Sequence, residues 1–331
     1  MFRFLLRRVL YLVPTLFLVS LISFFVVQLP PGDFLDAYVA SLQSGGDGSI
    51  NAAQLETLRA RYGLDQPLML QYVQWISNIL FRGDFGYSFE WNQPVSNLIM
   101  GRLGLTLVLS ISSLFLVYVV SLLIGIYSAR RQYSLGDHVL TFLGFLGLAT
   151  PNFLLALVVM YVAMAFFGQS VGGLFSPNYA EAPWDLAKLG DFLSHLWIPT
   201  LIIGTASTAS LIRVMRANLL DELNKPYVVT ARAKGLAEWT LLFRYPVRVA
   251  INPFVSRLGW ELPHLISGAA ITSIVLNLPT VGPILLQALK SQDTYLAGSV
   301  LLMLSVLTVI GTVVSDLLLV ALDPRIRHGV T

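Results

Sequence analysis

Long apolar runs, separated by shorter polar segments, dominate the pattern of this chain. A helix of about twenty apolar residues is long enough to cross the hydrocarbon core of a bilayer. Because such runs recur along the whole sequence, the pattern predicts an all-α integral membrane protein. The predicted six transmembrane helices occupy residues 9–29, 103–128, 139–167, 197–219, 253–276 and 297–322.

The first run follows Arg3, Arg7 and Arg8, an arrangement that signal peptides share. The run of about twenty residues is long enough to span a membrane, and its end, 29–32 (LPPG), contains no cleavage site of the small-x-small type. We therefore interpret residues 9–29 as a retained span that follows a cytoplasmic N-terminus at residues 1–8.

Residues 30–101 form the longest polar region, which we predict to be a small helical extracytoplasmic subdomain between the first two spans. Asn51 and Gln54 have the spacing of a helix-capping pair, and Gly63 is a stop signal. Pro67 suits the first turn of a second helix. One face of that helix would carry Tyr72, Val73, Ile76 and Ile79.

The other polar segments divide the remaining spans. Thr150, Pro151 and Asn152 interrupt the third run and predict a kink within that span. The small residues at 204–210 in the fourth run suit close helix packing. Residues 277–283 break any helix, so 277–292 is predicted as a re-entrant or interfacial turn on the outside. The chain ends in a predicted cytoplasmic segment, 323–331.

The segment 220–250 is a polar loop between the fourth and fifth spans. Its centre mixes apolar and charged residues at helical spacing, with Tyr227, Ala231 and Gly235 on one stripe. Ala231, Ala233 and Gly235 are small and permit a close approach by another protein. We therefore predict a helix that docks onto a partner in the water.

Basic residues are unevenly divided between the two sides of this topology. The predicted cytoplasmic segments and their flanks contain Arg3, Arg7, Arg8, Arg130, Arg131, Arg213, Arg216, Lys225, Arg232, Lys234, Arg244, Arg248, Arg257, Arg325 and Arg327. The opposite side contains Arg59, Arg61, Arg82, Arg102, Lys188 and Lys290. Cytoplasmic loops of membrane proteins carry the excess of lysine and arginine, so the bias places both termini and the polar loop in the cytoplasm.

Composition excludes several classes of function. The chain is 56% hydrophobic and 12% charged, whereas soluble domains carry about 25% charged residues. It has no cysteine, and its four histidines are scattered, so we predict no metal site. No phosphate-binding glycine loop and no catalytic serine motif occur, so no catalytic residue is predicted. The net charge of +3 is explained by the cytoplasmic bias rather than by nucleic-acid binding.

Two polar features within the apolar runs are candidates for a translocation path. Glu261 and His264 lie one turn apart in the fifth run. A carboxylate inside a membrane span is energetically costly, so its presence suggests a functional role. The alternative is that this span begins later and leaves the pair at the cytoplasmic interface. Pro151 and Asn152 either line the path or only bend the helix.

Several short motifs resemble one family of transport proteins. The segment 227–236 (YVVTARAKGL) resembles the cytoplasmic signature of permease subunits of binding-protein-dependent ATP-binding-cassette (ABC) importers. The closest resemblance is to the first-permease branch of the dipeptide, oligopeptide and nickel group. The supporting motifs are 6–8 (LRR), 31–33 (PGD), 63–68 (GLDQPL), 83–86 (GDFG), Pro151 with Phe153, and 322–325 (LDPR).

The resemblance implies a type I importer permease fold and a complex in which different subunits form the path, hydrolyse ATP and deliver the solute. Two homologous permeases would form the path, and two ATPase subunits would bind ATP and magnesium and dock on a coupling helix at about 226–240. An extracytoplasmic binding protein would deliver the solute. The implied coupling residues are Tyr227, Thr230, Ala231, Arg232, Ala233, Lys234, Gly235 and Leu236.

The chain departs from the family pattern at two places. Val229 occupies the position of the signature's leading glutamate, and Thr230 that of its first alanine. Ser273 stands where many peptide permeases have a glutamate, which makes it a further candidate for the path. The resemblance therefore predicts an importer of di- or oligopeptides and leaves oligosaccharides or nickel as alternatives. A secondary transporter ranks below it because no internal repeat is visible. A channel also ranks below it, because a channel would not need a loop on which an ATPase docks.

Overall fold

The computed structural model describes residues 2–29, 65–88 and 90–322. Within these ranges the chain is mostly helical. It divides into two compact units, of which the first comprises residues 105–279 and 308–322 and the second comprises the described residues of 2–104 together with 280–307. The predicted capping pair Asn51 and Gln54, the stop at Gly63 and the C-terminal segment 323–331 lie outside the described residues.

The second unit begins with α1 (Phe2–Val27), α2 (Leu68–Arg82) and a two-stranded antiparallel sheet. In this sheet β1 (Tyr87–Ser88) pairs with β2 (Gln93–Pro94). The predicted helix start at Pro67 is confirmed. Tyr72 and Trp75 of α2 are buried against Phe24 of α1, whereas Val73 is exposed, so the predicted apolar face is correct except at Val73.

Two long helices, α3 (Val95–Arg130) and α12 (Thr294–Leu322), each contribute residues to both units. Within the second unit, the start of α12 packs with α11 (Val281–Lys290) and the start of α3 around a buried apolar cluster. The predicted turn at 277–292 therefore contains a ten-residue helix. The break predicted at 277–283 is therefore too long, because the helix already begins at Val281. Pro283 lies in the first turn, where a missing backbone N–H costs no helical hydrogen bond.

The first unit contains α4 (Leu135–Ala149), α5 (Asn152–Phe167), α6 (Leu186–Leu223), α7 (Pro226–Ala233), α8 (Glu238–Arg244), α9 (Pro246–Ser256) and α10 (Leu258–Val275). The small residues of α6 permit close contacts, as predicted. A β-carbon on Gly204 would lie 3.0 Å from Val117 of α3, and one on Gly147 of α4 would lie 2.7 Å from Thr205. Close packing between backbones of this kind is typical of helices in membranes.

The third predicted span is broken rather than kinked. The helices α4 and α5 meet at an angle of 104°. Thr150 is extended, because the ring of Pro151 disfavours a helical conformation for the residue before it. At 1.5 Å per residue, the 15 residues of α4 and the 16 of α5 each cover less than the roughly 30 Å of a hydrocarbon core.

The fifth predicted span, 253–276, is not one continuous helix either. The helix α9 ends at Ser256 and α10 begins at Leu258. Pro253 lies inside α9 and lacks the backbone N–H that would continue the hydrogen-bond ladder. The hydroxyl of Ser315 in α12 donates to the carbonyl oxygens of Val255 and Ser256, both at 3.4 Å, and so satisfies backbone groups at the break.

Length and composition of the described helices support a membrane location. Three described segments are long and apolar enough to cross a bilayer: Val95–Arg130, Leu186–Leu223 and Thr294–Leu318. If the bent pair of α4 and α5 counts as one span, the described residues contain four. The helix α5 is apolar on all sides and buries only Ala156. Large exposed apolar side chains such as Phe166 and Phe167 therefore suit a lipid environment.

Candidate functional site

The predicted docking segment is two short helices joined by a tight turn. The expectation of one helix over 226–240 is wrong, because α7 ends at Ala233 and α8 begins at Glu238. Gly235 has a φ of +80°, a left-handed conformation that ends helices and that glycine adopts without steric cost. We call residues 226–244 the two-helix loop.

A small apolar core holds the two-helix loop together. Val228 and Ala231 of α7 and Leu241 of α8 are buried against one another, and Leu236 and Tyr245 are packed around them. Ala231 is only 5% exposed, so the expectation that it lies on an open contact face is wrong. Its small side chain instead allows α7 and α8 to approach closely.

Most of the other predicted coupling residues lie on the surface of the loop. Leu236 is partly buried. The side chain of Val229 is 54% exposed and therefore places an apolar group where the family signature has a charge. The exposed set is Tyr227, Val229, Thr230, Arg232, Ala233, Lys234 and Gly235.

Polar contacts stabilise the turn and the start of α7. Arg232 donates to both carboxylate oxygens of Glu238 across the turn, with Nε–Oε1 at 2.8 Å and Nη2–Oε2 at 3.4 Å. This hydrogen bond lowers the pKa of Glu238 and raises that of Arg232. The hydroxyl of Tyr227 donates to Glu222. Partial burial and that contact raise the pKa of Tyr227 to about 12, so its hydroxyl stays protonated at neutral pH.

The two-helix loop is attached to the helical unit by two kinds of contact. Leu242 of α8 is buried in a cluster with Leu219 of α6 and Phe254 of α9. The guanidinium of Arg130, at the end of α3, lies 4.1 Å from the ring centroid of Trp239 in α8. A cation over an aromatic face is attracted by the ring quadrupole. The loop therefore contacts the ends of the long helices.

Sequence reasoning missed a buried ion pair between α4 and α6. Asp137 of α4 is 3% exposed and accepts from Arg216 of α6, with Nη2–Oδ2 at 2.9 Å and Nε–Oδ1 at 3.2 Å. The spacing of Ser134 and Asp137 is the readable signal for the start of α4, where Ser134 caps Asp137 N at 3.2 Å. No local pattern identifies Arg216, because it lies 79 residues away.

The translocation candidates fall into two groups. Glu261 and His264 border one cleft of about 530 Å³, together with Arg257, which the sequence reasoning did not select. We call this site the charged cleft. Its lining residues are Leu148, Ala206, Ser207, Ser210, Arg257, Trp260, Glu261 and His264.

Pro151, Asn152 and Ser273 do not line the charged cleft. Asn152 Nδ2 donates to Ile203 O at 3.3 Å, which ties the start of α5 to α6. Ser273 is 1% exposed within α10. Across residues 2–29, 65–88 and 90–322, no group of three or more histidine, aspartate and glutamate side chains is arranged to hold a metal ion.

Comparison with known proteins decides the family. Residues 121–328 match the family described as the inner membrane component of binding-protein-dependent transport systems, and residues 1–110 match its N-terminal region. The chain belongs to this family. The predicted resemblance is thus confirmed, and the chain is a permease subunit of a binding-protein-dependent ABC importer.

Relatives of this permease extend along its whole length. The oligopeptide transport system permease protein AppB of Bacillus subtilis is 33% identical over 98% of this chain and 99% of its own length. A putative peptide permease protein of Brucella ovis is 32% identical over 99% of both chains. The glutathione transport system permease protein GsiC of Escherichia coli is 30% identical over 99% of this chain and 100% of its own length.

Proposed function

We propose that this permease forms half of the path of an ATP-driven importer and that the two-helix loop is where the importer's ATPase subunits dock. The observation that carries the proposal is the exposed surface of Tyr227, Val229, Ala233, Lys234 and Gly235 on a loop with its own core. A loop that has its own apolar core and is attached to α3, α6 and α9 can transmit the movement of a docked partner to the helices.

The proposed complex contains a second homologous permease, two ATP-binding subunits and an extracytoplasmic binding protein. The ATP-binding subunits hold ATP and magnesium and hydrolyse the nucleotide, so this chain needs no cofactor and no catalytic group of its own. It crosses the membrane six times with both termini in the cytoplasm, a topology supported by the distribution of arginine and lysine.

The proposed solute is a di- or oligopeptide. The names of AppB, GsiC and the Brucella relative point to peptides or glutathione, and all three align with nearly the whole chain. Oligosaccharides and nickel are the competing solutes, and Ser273 in place of a glutamate is the sequence feature that favours them. Identification of the solute carried by the cognate binding protein separates these classes.

Site-directed cross-linking tests the docking proposal. The chain contains no cysteine, so a single Ala233→Cys substitution provides a unique attachment point. Benzophenone-4-maleimide attached to this cysteine should, on irradiation, join the position to an ATPase subunit in the assembled complex. The same reagent on Glu181→Cys, in the outer loop predicted at residues 168–195 between the third and fourth spans, should give no such product. A transporting complex in which position 233 never cross-links to the ATPase subunits would refute the docking site.

A further inference from the structure

The charged cleft brings three ionisable side chains to one face of a helix segment. The Glu261 amide donates to Arg257 O at 3.0 Å, so these side chains originate one helical turn apart. His264 follows three residues later and borders the same cleft. Ser207 and Ser210 of α6 form the facing wall, near the middle of the apolar run 197–219.

The opposite charges of Arg257 and Glu261 in the cleft are not in direct contact. Arg257 Nη1 donates to Ser210 Oγ at 3.2 Å, which draws the guanidinium toward α6. Within the described ranges, no ion pair joins Arg257 to Glu261. Charged groups at membrane depth are costly unless they are paired or serve a path. A carboxylate and a guanidinium that line one cleft without direct contact can instead be satisfied by a ligand that carries both charges.

We infer that the charged cleft recognises the two charged ends of a peptide as it passes through the permease. Glu261 binds the peptide's ammonium group, Arg257 binds its carboxylate, and His264 adds a further polar contact. This inference rests on the proposed function. It adds a second recognition step, in which the permease itself selects the peptide after the binding protein has delivered it.

The dimensions of the cleft suit a short peptide. An extended dipeptide spans about 7 Å, and one helical turn separates side-chain origins by about 5.4 Å. A volume of about 530 Å³ lies within the range of small-ligand sites. A neutral oligosaccharide would leave both charges without partners, so the cleft favours a zwitterion. Trp260, which is 79% exposed at the rim, gives an apolar surface for the peptide's side chains.

Photo-cross-linking during turnover tests this inference. The complete complex, with its second permease, ATPase subunits and binding protein, carries p-benzoylphenylalanine in place of Trp260 and is irradiated while it takes up radiolabelled alanyl-phenylalanine. Labelled peptide should become attached to this permease. The same photoreactive group in place of Leu148 provides a second position on the cleft wall should the first substitution block assembly.

Charge-removing variants give the decisive comparison. Glu261→Gln and Arg257→Gln should each reduce capture about tenfold, equivalent to about 1.4 kcal/mol. Glu261→Asp and Arg257→Lys, which retain the charges, should restore part of it. Glu181→Gln, a matched change at an exposed position in the predicted outer loop, should leave capture unchanged.

The remaining outcomes separate this inference from the proposed function. Capture that is unchanged by Glu261→Gln, or absent at both positions while the dipeptide is taken up, overturns the recognition step alone. Uptake of an oligosaccharide in place of the dipeptide also overturns it and leaves the ATP-driven importer intact. A complex whose ATP hydrolysis responds to no loaded binding protein contradicts the proposed function itself.

Discussion

Gly235 determines the shape of the two-helix loop through its backbone. Its φ of +80° is strained for residues with a side chain, and a β-carbon there would meet no atom within 4 Å. The cost of substitution is therefore conformational and not steric. A left-handed alanine costs about 1 kcal/mol, and asparagine less, because its side chain tolerates this region.

The first prediction follows from this turn. Gly235→Ala should accelerate amide hydrogen exchange across 226–244 about fivefold, as expected for about 1 kcal/mol of local destabilisation, and Gly235→Asn should have a smaller effect. Gly83 is the matched control, since its φ is +64° and a β-carbon there also meets no neighbouring atom. Gly83→Ala should affect exchange around its own turn only. Unchanged exchange in 226–244 of Gly235→Ala would contradict the left-handed turn.

The ion pair of Asp137 and Arg216 supports a second prediction. Removal of Arg216 leaves a carboxylate that is 3% exposed without its cation, although Tyr133 N still donates to it at 3.0 Å. Arg216→Ala should therefore lower the free energy of unfolding by about 3 kcal/mol, measured by denaturant titration in mixed micelles. Arg213→Ala, on the same helix, removes only a cation–π contact with Phe145 and should cost about 1 kcal/mol. Equal losses would show that the buried pair has no special role.

At the scale of elements, the contact between Arg130 and Trp239 joins the end of α3 to the two-helix loop. The third prediction is that Arg130→Gln and Trp239→Leu are non-additive, with a coupling energy of about 1 kcal/mol for unfolding of the permease. Arg130→Gln combined with Val249→Ala should be additive, since Val249 is an exposed residue of α9 that takes no part in the contact between Arg130 and Trp239. Additive effects of Arg130→Gln and Trp239→Leu would show that these two side chains do not couple α3 to α8.

Element boundaries show where sequence reasoning succeeds and where it fails. Pro67 and the small residues at 204–210 act locally, so the helix start and the close packing were predictable. A glycine in a helical pattern can either permit a close approach by a partner or end the helix. The prediction of a contact face took Gly235 in the first sense and therefore missed the turn between α7 and α8. The sequence predicts a kink at Pro151. It does not predict the 104° angle, because that angle depends on where α4 and α5 pack.

The long-range contacts in and near the candidate sites require information that no local pattern contains. Arg257 joins the charged cleft through Ser210, 47 residues earlier in the chain, and Asp137 meets Arg216 across 79 residues. Glu261 and His264 were predictable because charged residues are rare in apolar runs. The family was predictable because its motifs extend along the whole chain, so that several weak signals agree.

At the scale of the whole molecule, the proposed topology of six spans with cytoplasmic termini gives the fourth prediction. Single cysteines introduced into this cysteine-free chain report the side of the membrane on which they lie. An impermeant maleimide should label Glu181→Cys from the outside only, and Lys234→Cys from the cytoplasmic side only. Labelling of position 234 from the outside would show that the topology is the reverse of the proposed one. The two-helix loop would then lie on the side of the membrane that has no ATPase.

The central claim is that an ATPase drives this permease through the two-helix loop, and ATP hydrolysis stimulated by the solute-loaded binding protein tests it most directly. In proteoliposomes with the complete complex, Gly235→Glu should reach the membrane in normal amount and lose this stimulation, because it strains the left-handed turn and places a charged side chain on the docking surface. Gly235→Asn, which preserves the turn without a charge, should retain most of it. Normal stimulation in the Gly235→Glu complex would contradict the account.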